Sequence, residues 1–320
     1  MASLNAQQKR ALEFVSGGHN LVLLGPAGTG KSFLVNRVVE ICSTTGKQCA
    51  VTATTGIACS VYPAQLKPMT IHRWSGIGDG RYGSSEMKRT VKNNVRYKDV
   101  MDRISNTDVL IIDECSMLSK RLLETLHEVC SLKHPQLYFG GIQVILVGDF
   151  VQLPPVPCAR YNEDGSYCFE SDIYRAAFPH HIILKDVIRQ KDKLMVEAIR
   201  EISLVFDPRK NKVVATREQL PLKPAYALTI QVDCRDIFKP GQLGVAIGRA
   251  RSLDGLRVIN FNKNACIKQP EKIQRFLTLE DSIETKDDRS CCNNYASLRS
   301  DNQVKEVMND KIIMRCIVIA

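Results

Sequence analysis

The chain has 320 residues, of which 44% are hydrophobic and 24% charged, a balance typical of a soluble globular protein of about two domains. Its 44 Lys and Arg residues outnumber its 34 Asp and Glu residues, and the net charge of +10 favours a polyanionic partner such as nucleic acid, with solubility alone as the alternative explanation. The 12 scattered cysteines include no CxxC pair, which argues against a disulfide framework. Because no secretion signal and no run of ~18 apolar residues is visible, we expect no membrane partner and a cytosolic or nuclear location.

Short apolar runs predict the strands of a parallel sheet. They lie at 21–24, 49–51, 109–112, 144–147 and 182–184, and they alternate with segments of helical period or loop character. This alternation predicts an α/β fold whose sheet is covered by helices on both faces. Ligands of such sheets bind at the carboxyl ends of the strands.

The segment after the first strand fits the phosphate-binding pattern GxxxxGK[ST]. A loop of small residues lets backbone N–H groups surround phosphate oxygens at the positive end of the following helix, which is predicted over 33–42. Lys31 is predicted to neutralise the outer phosphates and Ser32 to ligate Mg²⁺. The pattern therefore predicts a nucleotide triphosphatase whose phosphate-binding residues are Gly25, Pro26, Ala27, Gly28, Thr29, Gly30, Lys31 and Ser32.

Polar side chains follow two of the later strands. Asp113 and Glu114 end the apolar run at 109–112, where Asp113 is predicted to hold the magnesium shell and Glu114 to polarise the attacking water. Asp149 and Gln152 follow the run at 144–147, where they could sense the γ-phosphate or could simply form a β-turn.

Composition and the phosphate loop also divide the chain. Residues 1–203 are predicted to form the nucleotide-binding domain, the polar segment 204–212 a linker, and 213–280 a smaller α/β segment. Residues 281–320 are predicted to be a disordered polar tail. The stretch 81–103 is rich in Lys and Arg, which suggests a surface that contacts a nucleic-acid backbone or, alternatively, a solvated helix face.

Four motifs together resemble the Pif-type (petite-integration-frequency) DNA helicases of superfamily one. They are the phosphate loop, the segments 113–117 and 148–155, and the pair Arg189-Gln190. The resemblance covers residues 4–203 and again 217 to about 276. It implies RecA-like domains that use ATP and Mg²⁺ to move 5′ to 3′ along single-stranded DNA and to separate duplexes, including folded G-rich structures. It also implies roles in DNA repair, recombination or telomere maintenance. Because no presequence is visible, we expect the nucleus as the location, with the mitochondrion as the alternative, and we expect a monomer.

The same resemblance assigns adenine recognition and DNA binding. Gln8 matches the residue that offers its amide to the adenine edge, and otherwise it belongs to an ordinary helix start. Thr54 and Thr55, and then His72 and Trp74, match segments that grip single-stranded DNA. Hydroxyls suit phosphates and an aromatic face can stack on a base, although Trp74 is as well suited to a core position.

Two arginines resemble those that reach the γ-phosphate from the far side of the nucleotide cleft. They are Arg189 and Arg249. The alternatives are an ion pair of Arg189 with Asp186 or Asp192, and a DNA-backbone contact for Arg249.

The resemblance breaks at two places. Family members carry a His-Lys-Ser/Ala-Gln-Gly element after the counterpart of Ile230, where this chain continues with Gln231. Most of the second motor domain is also missing between the counterparts of Ser203 and Arg217. We therefore expect an incomplete second RecA-like domain that docks on the first or remains poorly ordered.

Three functions follow from these observations. The first is an ATP-dependent DNA helicase. The second is a truncated ATP- and DNA-binding module without unwinding activity, which regulates or competes with a complete helicase. The third is an unrelated P-loop ATPase, which the segment 148–156 argues against.

Overall fold

The computed structural model describes residues 4–186, 230–236, 241–250, 256–261 and 269–280. The predicted linker 204–212, the predicted tail 281–320 and Arg189 lie outside these residues. Among the residues that the structure describes, no helix is both long enough and apolar enough to cross a bilayer.

Strands and helices alternate through most of the described chain. The strands are β1 Leu21–Leu24, β2 Cys49–Ala53, β3 Met69–Thr70, β4 Val109–Asp113, β5 Gln143–Gly148, β6 His180–Ile183, β7 Ile230–Asp233 and β8 Leu256–Ile259. The helices are α1 Ala6–Ser16, α2 Lys31–Thr44, α3 Gly56–Cys59, α4 Ile71–Ser75, α5 Ser84–Asn93, α6 Lys98–Asn106, α7 Lys120–Cys130, α8 Asp172–Ala177, α9 Gln242–Arg249 and α10 Glu271–Glu280.

Strands β1 to β6 form one sheet in the order β3-β2-β4-β5-β1-β6, and every neighbouring pair is parallel. The predicted α/β class with a parallel sheet is confirmed. All five predicted strands are present: β1 has the predicted bounds, and the ends of the other four strands differ from the prediction by at most two residues. The sequence did not predict β3, because a two-residue strand carries too short a pattern to be recognised.

Consecutive residues of the central strands point to opposite faces of the sheet, where each joins a separate hydrophobic core. In β4, Leu110 and Ile112 pack with α4 to α8, whereas Val109 and Ile111 pack with α1 and α2. Strands β1 and β5 alternate in the same way. Because both faces are covered, the carboxyl edge of the sheet is where polar groups of successive strands can meet a ligand.

The carboxyl-terminal part of the described chain packs against the first domain. Strands β7 and β8 form a two-stranded parallel sheet, which is too small to bury both of its faces by itself. Helix α10 instead places Phe276 in the first domain's core, where its ring stacks on Phe169 at 4.3 Å and meets Phe150 edge-on at 5.2 Å. The Gln269 amide donates to the Val151 carbonyl at 2.6 Å. The observed contacts agree with the docking alternative for this segment.

Truncating Phe276 should therefore destabilise the first domain. We expect Phe276→Ala to lower the free energy of unfolding by about 3 kcal/mol, because it empties a buried aromatic site. Urea denaturation followed by circular dichroism measures this change. The matched control is Phe261→Ala, since Phe261 is 62% exposed whereas Phe276 is 8% exposed. Equal denaturation midpoints for the two variants would contradict the packing role of α10.

Candidate nucleotide-binding site

The phosphate loop follows β1 directly and depends on glycine backbone geometry. Gly25, Gly28 and Gly30 have φ values of +157°, +84° and +93°, which residues other than glycine rarely adopt. A Cβ added at Gly25 would lie 2.8 Å from both the Leu184 carbonyl oxygen and the Thr29 hydroxyl oxygen. The loop thus lies tightly between β1 and the end of β6, and it presents the first backbone N–H groups of α2 at the sheet edge.

Lys31 is the first residue of α2, and its ammonium group folds over the phosphate loop. Its Nζ donates to the Gly25 carbonyl at 2.6 Å and to the Pro26 carbonyl at 3.0 Å. The Thr29 hydroxyl also donates to the Pro26 carbonyl, at 2.9 Å. A positive charge is therefore held where an outer phosphate would meet the loop.

Backbone hydrogen bonds join the ends of neighbouring strands at this edge. The Gly25 N–H donates to the Gly148 carbonyl at 3.2 Å, and the Thr54 N–H donates to the Asp113 carbonyl at 3.1 Å. The phosphate loop, the predicted acids and the predicted sensing turn consequently lie at one edge of the sheet.

Asp113 is 9% exposed and its two carboxylate oxygens have separate partners. Oδ1 accepts the Glu114 N–H at 2.8 Å, and Oδ2 accepts the hydroxyl of Tyr62. Glu114 has a φ of +54°, a left-handed conformation that costs roughly 1 kcal/mol or more in a residue other than glycine. The Thr54 hydroxyl donates to the Glu114 carbonyl at 2.9 Å and so supports this turn. The chain therefore leaves β4 by a fixed bend at the two acids.

Tyr62 is a site residue that the sequence analysis missed. It is 5% exposed, and burial together with the charge of Asp113 raises the pKa of its hydroxyl well above the usual range. The hydroxyl therefore stays protonated at neutral pH and donates to Asp113. No sequence motif marks it, because it lies 51 residues before Asp113 in a segment without a recognised pattern.

The oxygens of Ser32 and Asp113 suit a magnesium ion. Mg²⁺ prefers hard oxygen ligands and commonly takes one or two from the protein and the others from phosphates and water. The hydroxyl of Ser32 at the start of α2 and the buried carboxylate of Asp113 at the end of β4 provide that kind of donor set. Within the described part of the chain, no three His, Cys, Asp or Glu side chains come together in a way that could hold a metal ion by themselves.

Asp149 and Gln152 form a buried turn after β5. Asp149 Oδ1 accepts the Val151 N–H at 3.1 Å, and Oδ2 accepts the Gln152 side-chain amide at 3.0 Å. The Gln152 N–H also donates to the Asp149 carbonyl, at 2.8 Å. The structural β-turn is present, and sensing of the γ-phosphate by the same two residues stays a prediction.

Gln8 lies in the first turn of α1, where only its side-chain oxygen takes part in capping the helix. Its Oε1 accepts the Asn5 N–H at 3.1 Å, which completes a capping box at the start of the helix. Its Nε2 is buried and has no hydrogen-bond partner among the described residues. A buried donor of this kind favours a ligand with an acceptor atom, as an adenine edge would supply.

The predicted DNA-binding residues do not all face solvent. Thr54 and His72 line a cavity of about 210 Å³ whose wall also includes Arg121. Thr55 caps α3, because its hydroxyl accepts the Ala58 N–H at 3.3 Å. Burial lowers the pKa of His72, so its ring is neutral near pH 7.

The stacking prediction for Trp74 is wrong. Trp74 is 2% exposed and packs in the core between α4 and the sheet, so its face cannot reach a base. Its position in α4 puts it on the same side as Ile71, which is also fully enclosed. The core alternative is the one that the structure supports.

The predicted arginines are the least defined part of the site. Arg249 is the last residue of α9, and its side chain is not among the described atoms. Arg189 lies outside the described residues. Their approach to a γ-phosphate stays a prediction.

Comparison with known proteins identifies the family. The sequence model of the PIF1-like helicase family matches residues 3–207, which is more than half of the chain. The chain belongs to the PIF1-like helicase family. Its first domain therefore has the P-loop, RecA-like fold that the resemblance implied.

Individual members of the PIF1-like helicase family cover different shares of the chain. The ATP-dependent DNA helicase RRM3 of Saccharomyces cerevisiae is 32% identical over 256 residues, which are 75% of this chain and 34% of that protein. The chain thus spans about a third of the length of this curated relative. Two crystal structures share the fold. Pif1 from Candida albicans is 22% identical with a TM-score of 0.72, and the match covers 88% of this chain and 100% of that chain. Bacteroides Pif1 in complex with ADP-AlF3 and single-stranded DNA is 17% identical with a TM-score of 0.71, and the match covers 89% of this chain and 99% of that chain.

Proposed function

We propose that the chain binds ATP with Mg²⁺ at the carboxyl edge of the sheet and hydrolyses it. The observation that carries this proposal is the phosphate loop itself, which glycine conformations shape and over which Lys31 Nζ is held at 2.6 Å from the Gly25 carbonyl. It lies at the same sheet edge at which β4 ends in Asp113. The magnesium ion would supply positive charge to the phosphates of the bound nucleotide. Ser32 would ligate that ion, and Asp113 would orient its water shell.

We assign each of the other predicted site residues its own role in binding or hydrolysing the nucleotide. Lys31 would exchange its bonds to the loop carbonyls for bonds to the outer phosphates, and Glu114 would orient the attacking water as general base. Gln152 and Asp149 would report the state of the γ-phosphate. Arg189 and Arg249 would stabilise the charge that develops on the transferred group, an effect worth roughly 10³ to 10⁵ in rate where such an arginine is supplied.

We further propose that single-stranded DNA is the partner that this hydrolysis serves. The cavity lined by Thr54, His72 and Arg121 offers a neutral imidazole and a guanidinium, both of which carry N–H donors, to a phosphate backbone. The net charge of +10 favours the same partner. The related Bacteroides structure, which holds ADP-AlF3 with single-stranded DNA, supports this assignment.

The activity that this site supports best is that of an ATP-dependent 5′ to 3′ DNA helicase. Translocation on single strands would separate duplexes, including G-rich structures, and would serve repair, recombination or telomere maintenance. We expect the nucleus as the location, with the mitochondrion as the alternative. Residues 1–203 would form the ATP-binding motor domain, and residues 213–280 an incomplete second motor domain.

A second candidate function is an ATP- and DNA-binding module without unwinding activity. Two observations favour it: Ile230 continues directly into Gln231 without the His-Lys-Ser/Ala-Gln-Gly element, and α10 packs into the core of the first domain. A motor steps by changing the gap between two domains, so a second domain that is small and docked limits stepping. Such a module would regulate or compete with a complete helicase.

The rate of ATP hydrolysis with and without single-stranded DNA tests the proposal. We expect hydrolysis that single-stranded DNA stimulates, and we expect Lys31→Ala to lower it to background because the charge opposite the outer phosphates is lost. The matched control is Lys47→Ala, which removes the same charge from an exposed position after α2. Undiminished hydrolysis by Lys31→Ala would place the active site elsewhere. A strand-displacement assay then separates the two candidates, since only the helicase unwinds a tailed duplex.

Replacing Glu114 should separate nucleotide binding from hydrolysis. We expect Glu114→Gln to bind a fluorescent ATP analogue within about threefold of the unmodified chain, yet to hydrolyse ATP roughly 10² to 10⁴ times more slowly, because the amide cannot accept a proton from water. Glu86→Gln, at an exposed position of α5, is the control. Loss of nucleotide binding in Glu114→Gln would mean that Glu114 is structural.

Replacing Gln8 should change the choice of base. Gln8→Glu keeps the oxygen that caps α1 but replaces the Nε2 donor with an acceptor. We expect the preference for ATP over GTP to fall roughly tenfold in equilibrium binding, because a hydrogen bond is replaced by repulsion. Gln65→Glu adds the same charge at an exposed position and should leave the preference unchanged. An unaltered preference in Gln8→Glu would exclude adenine recognition by Gln8.

A further inference from the structure

Tyr62 contacts Asp113, one of the two residues that the magnesium proposal depends on, although neither the sequence motifs nor the family resemblance assigned it a role. Its ring packs in the core on the α1–α2 face of the sheet, and its hydroxyl is the part that reaches the site. That hydroxyl donates to Asp113 Oδ2. A single buried group therefore joins the segment after β2 to the end of β4.

We propose that Tyr62 is a positioning residue of this site, which fixes the Asp113 carboxylate in the orientation that accepts a magnesium nucleotide. The inference rests on the proposed nucleotide-binding function and deepens it. Tyr62 acts through Asp113 and touches neither the reacting phosphate nor the attacking water.

The hydrogen bonds of Asp113 explain why a positioning residue is needed. Its Oδ1 is held by the Glu114 N–H at 2.8 Å, which fixes only one end of the carboxylate. The Tyr62 hydroxyl fixes the other end, so the carboxylate plane cannot turn about its final torsion. Both contacts leave acceptor lone pairs on the oxygens, and those lone pairs can still orient water around a metal ion.

The segment 54–62 anchors Tyr62 to the rest of the site. At its start, the Thr54 hydroxyl donates to the Glu114 carbonyl at 2.9 Å, and Thr55 caps α3. At its end, Tyr62 reaches Asp113. One short segment thus supports both acids, Glu114 through its backbone and Asp113 through its carboxylate.

The test is the effect of magnesium on nucleotide affinity, measured with a fluorescent ATP analogue in excess Mg²⁺ and in EDTA. Tyr62→Phe keeps the packed ring and removes only the hydroxyl. We expect its affinity in EDTA to stay within about twofold of the unmodified chain and its gain in affinity on adding Mg²⁺ to fall roughly tenfold. The Mg²⁺ concentration for half-maximal ATP hydrolysis should rise by a similar factor.

The matched control is Tyr174→Phe, which removes another buried tyrosine hydroxyl. Tyr174 hydrogen-bonds His181 at 2.9 Å, away from the phosphate loop. We expect this variant to keep the full magnesium effect. If Tyr62→Phe keeps it as well, or if both variants lose affinity equally with and without Mg²⁺, the positioning role is overturned.

A double-mutant cycle with Asp113→Asn checks that Tyr62 acts through Asp113. When Tyr62→Phe is added to the Asp113→Asn variant, we expect it to change the magnesium effect by less than about twofold, because the carboxylate that it orients is already gone. Additive losses would contradict the inference. Absence of nucleotide binding by the unmodified chain would instead refute the proposed function, so the two failures are distinguishable.

Discussion

The burial of both faces of a parallel sheet is the constraint on which the rest of this structure depends. Helices cover the sheet on each side, and the central strands alternate between two apolar cores. Polar side chains of the central strands β1, β4 and β5 are therefore confined to the strand ends, and in a parallel sheet all carboxyl ends meet at one edge. The phosphate loop after β1 and the acids after β4 are neighbours for this reason, although about 80 residues and the intervening strand β5 separate them.

At that edge, hydrogen bonds set the geometry that packing alone leaves open. The phosphate loop is shaped by glycine conformations and by the close approach of Leu184 to Gly25. The acids are held by Tyr62 and Thr54, which belong to the segment that follows β2. Side chains that resemble DNA-binding residues and side chains that support the nucleotide site therefore lie on the same short segment. A movement of this segment would therefore affect both the predicted DNA-binding residues and the predicted nucleotide site.

The carboxyl-terminal segment bears on which function is realised. In a two-domain motor, the second domain must be free to move against the first. Here α10 contributes Phe276 to the core of the first domain, and the Gln269 amide donates to the Val151 carbonyl in the turn after β5. These contacts stabilise the first domain, and they also bind the second segment to the loop that follows β5. These contacts favour the second candidate function, a nucleotide- and DNA-binding module that regulates or competes with a complete helicase.

Local patterns in the sequence sufficed for the five main strands, the parallel sheet, the phosphate loop and the two acids, because each depends on the spacing of residues close together in the chain. The burial of Trp74 could not be predicted, since an aromatic residue on a short helix suits a core and a DNA surface alike. Only the packing of the folded chain shows that Trp74 is 2% exposed and lies in the core. Tyr62 and Phe276 carry no local pattern, because their partners lie 51 residues or more away in the chain. The sequence by itself determined the chemistry of the site, whereas the tertiary structure decided which distant side chains hold that chemistry in place, because such contacts arise only when separate segments pack together.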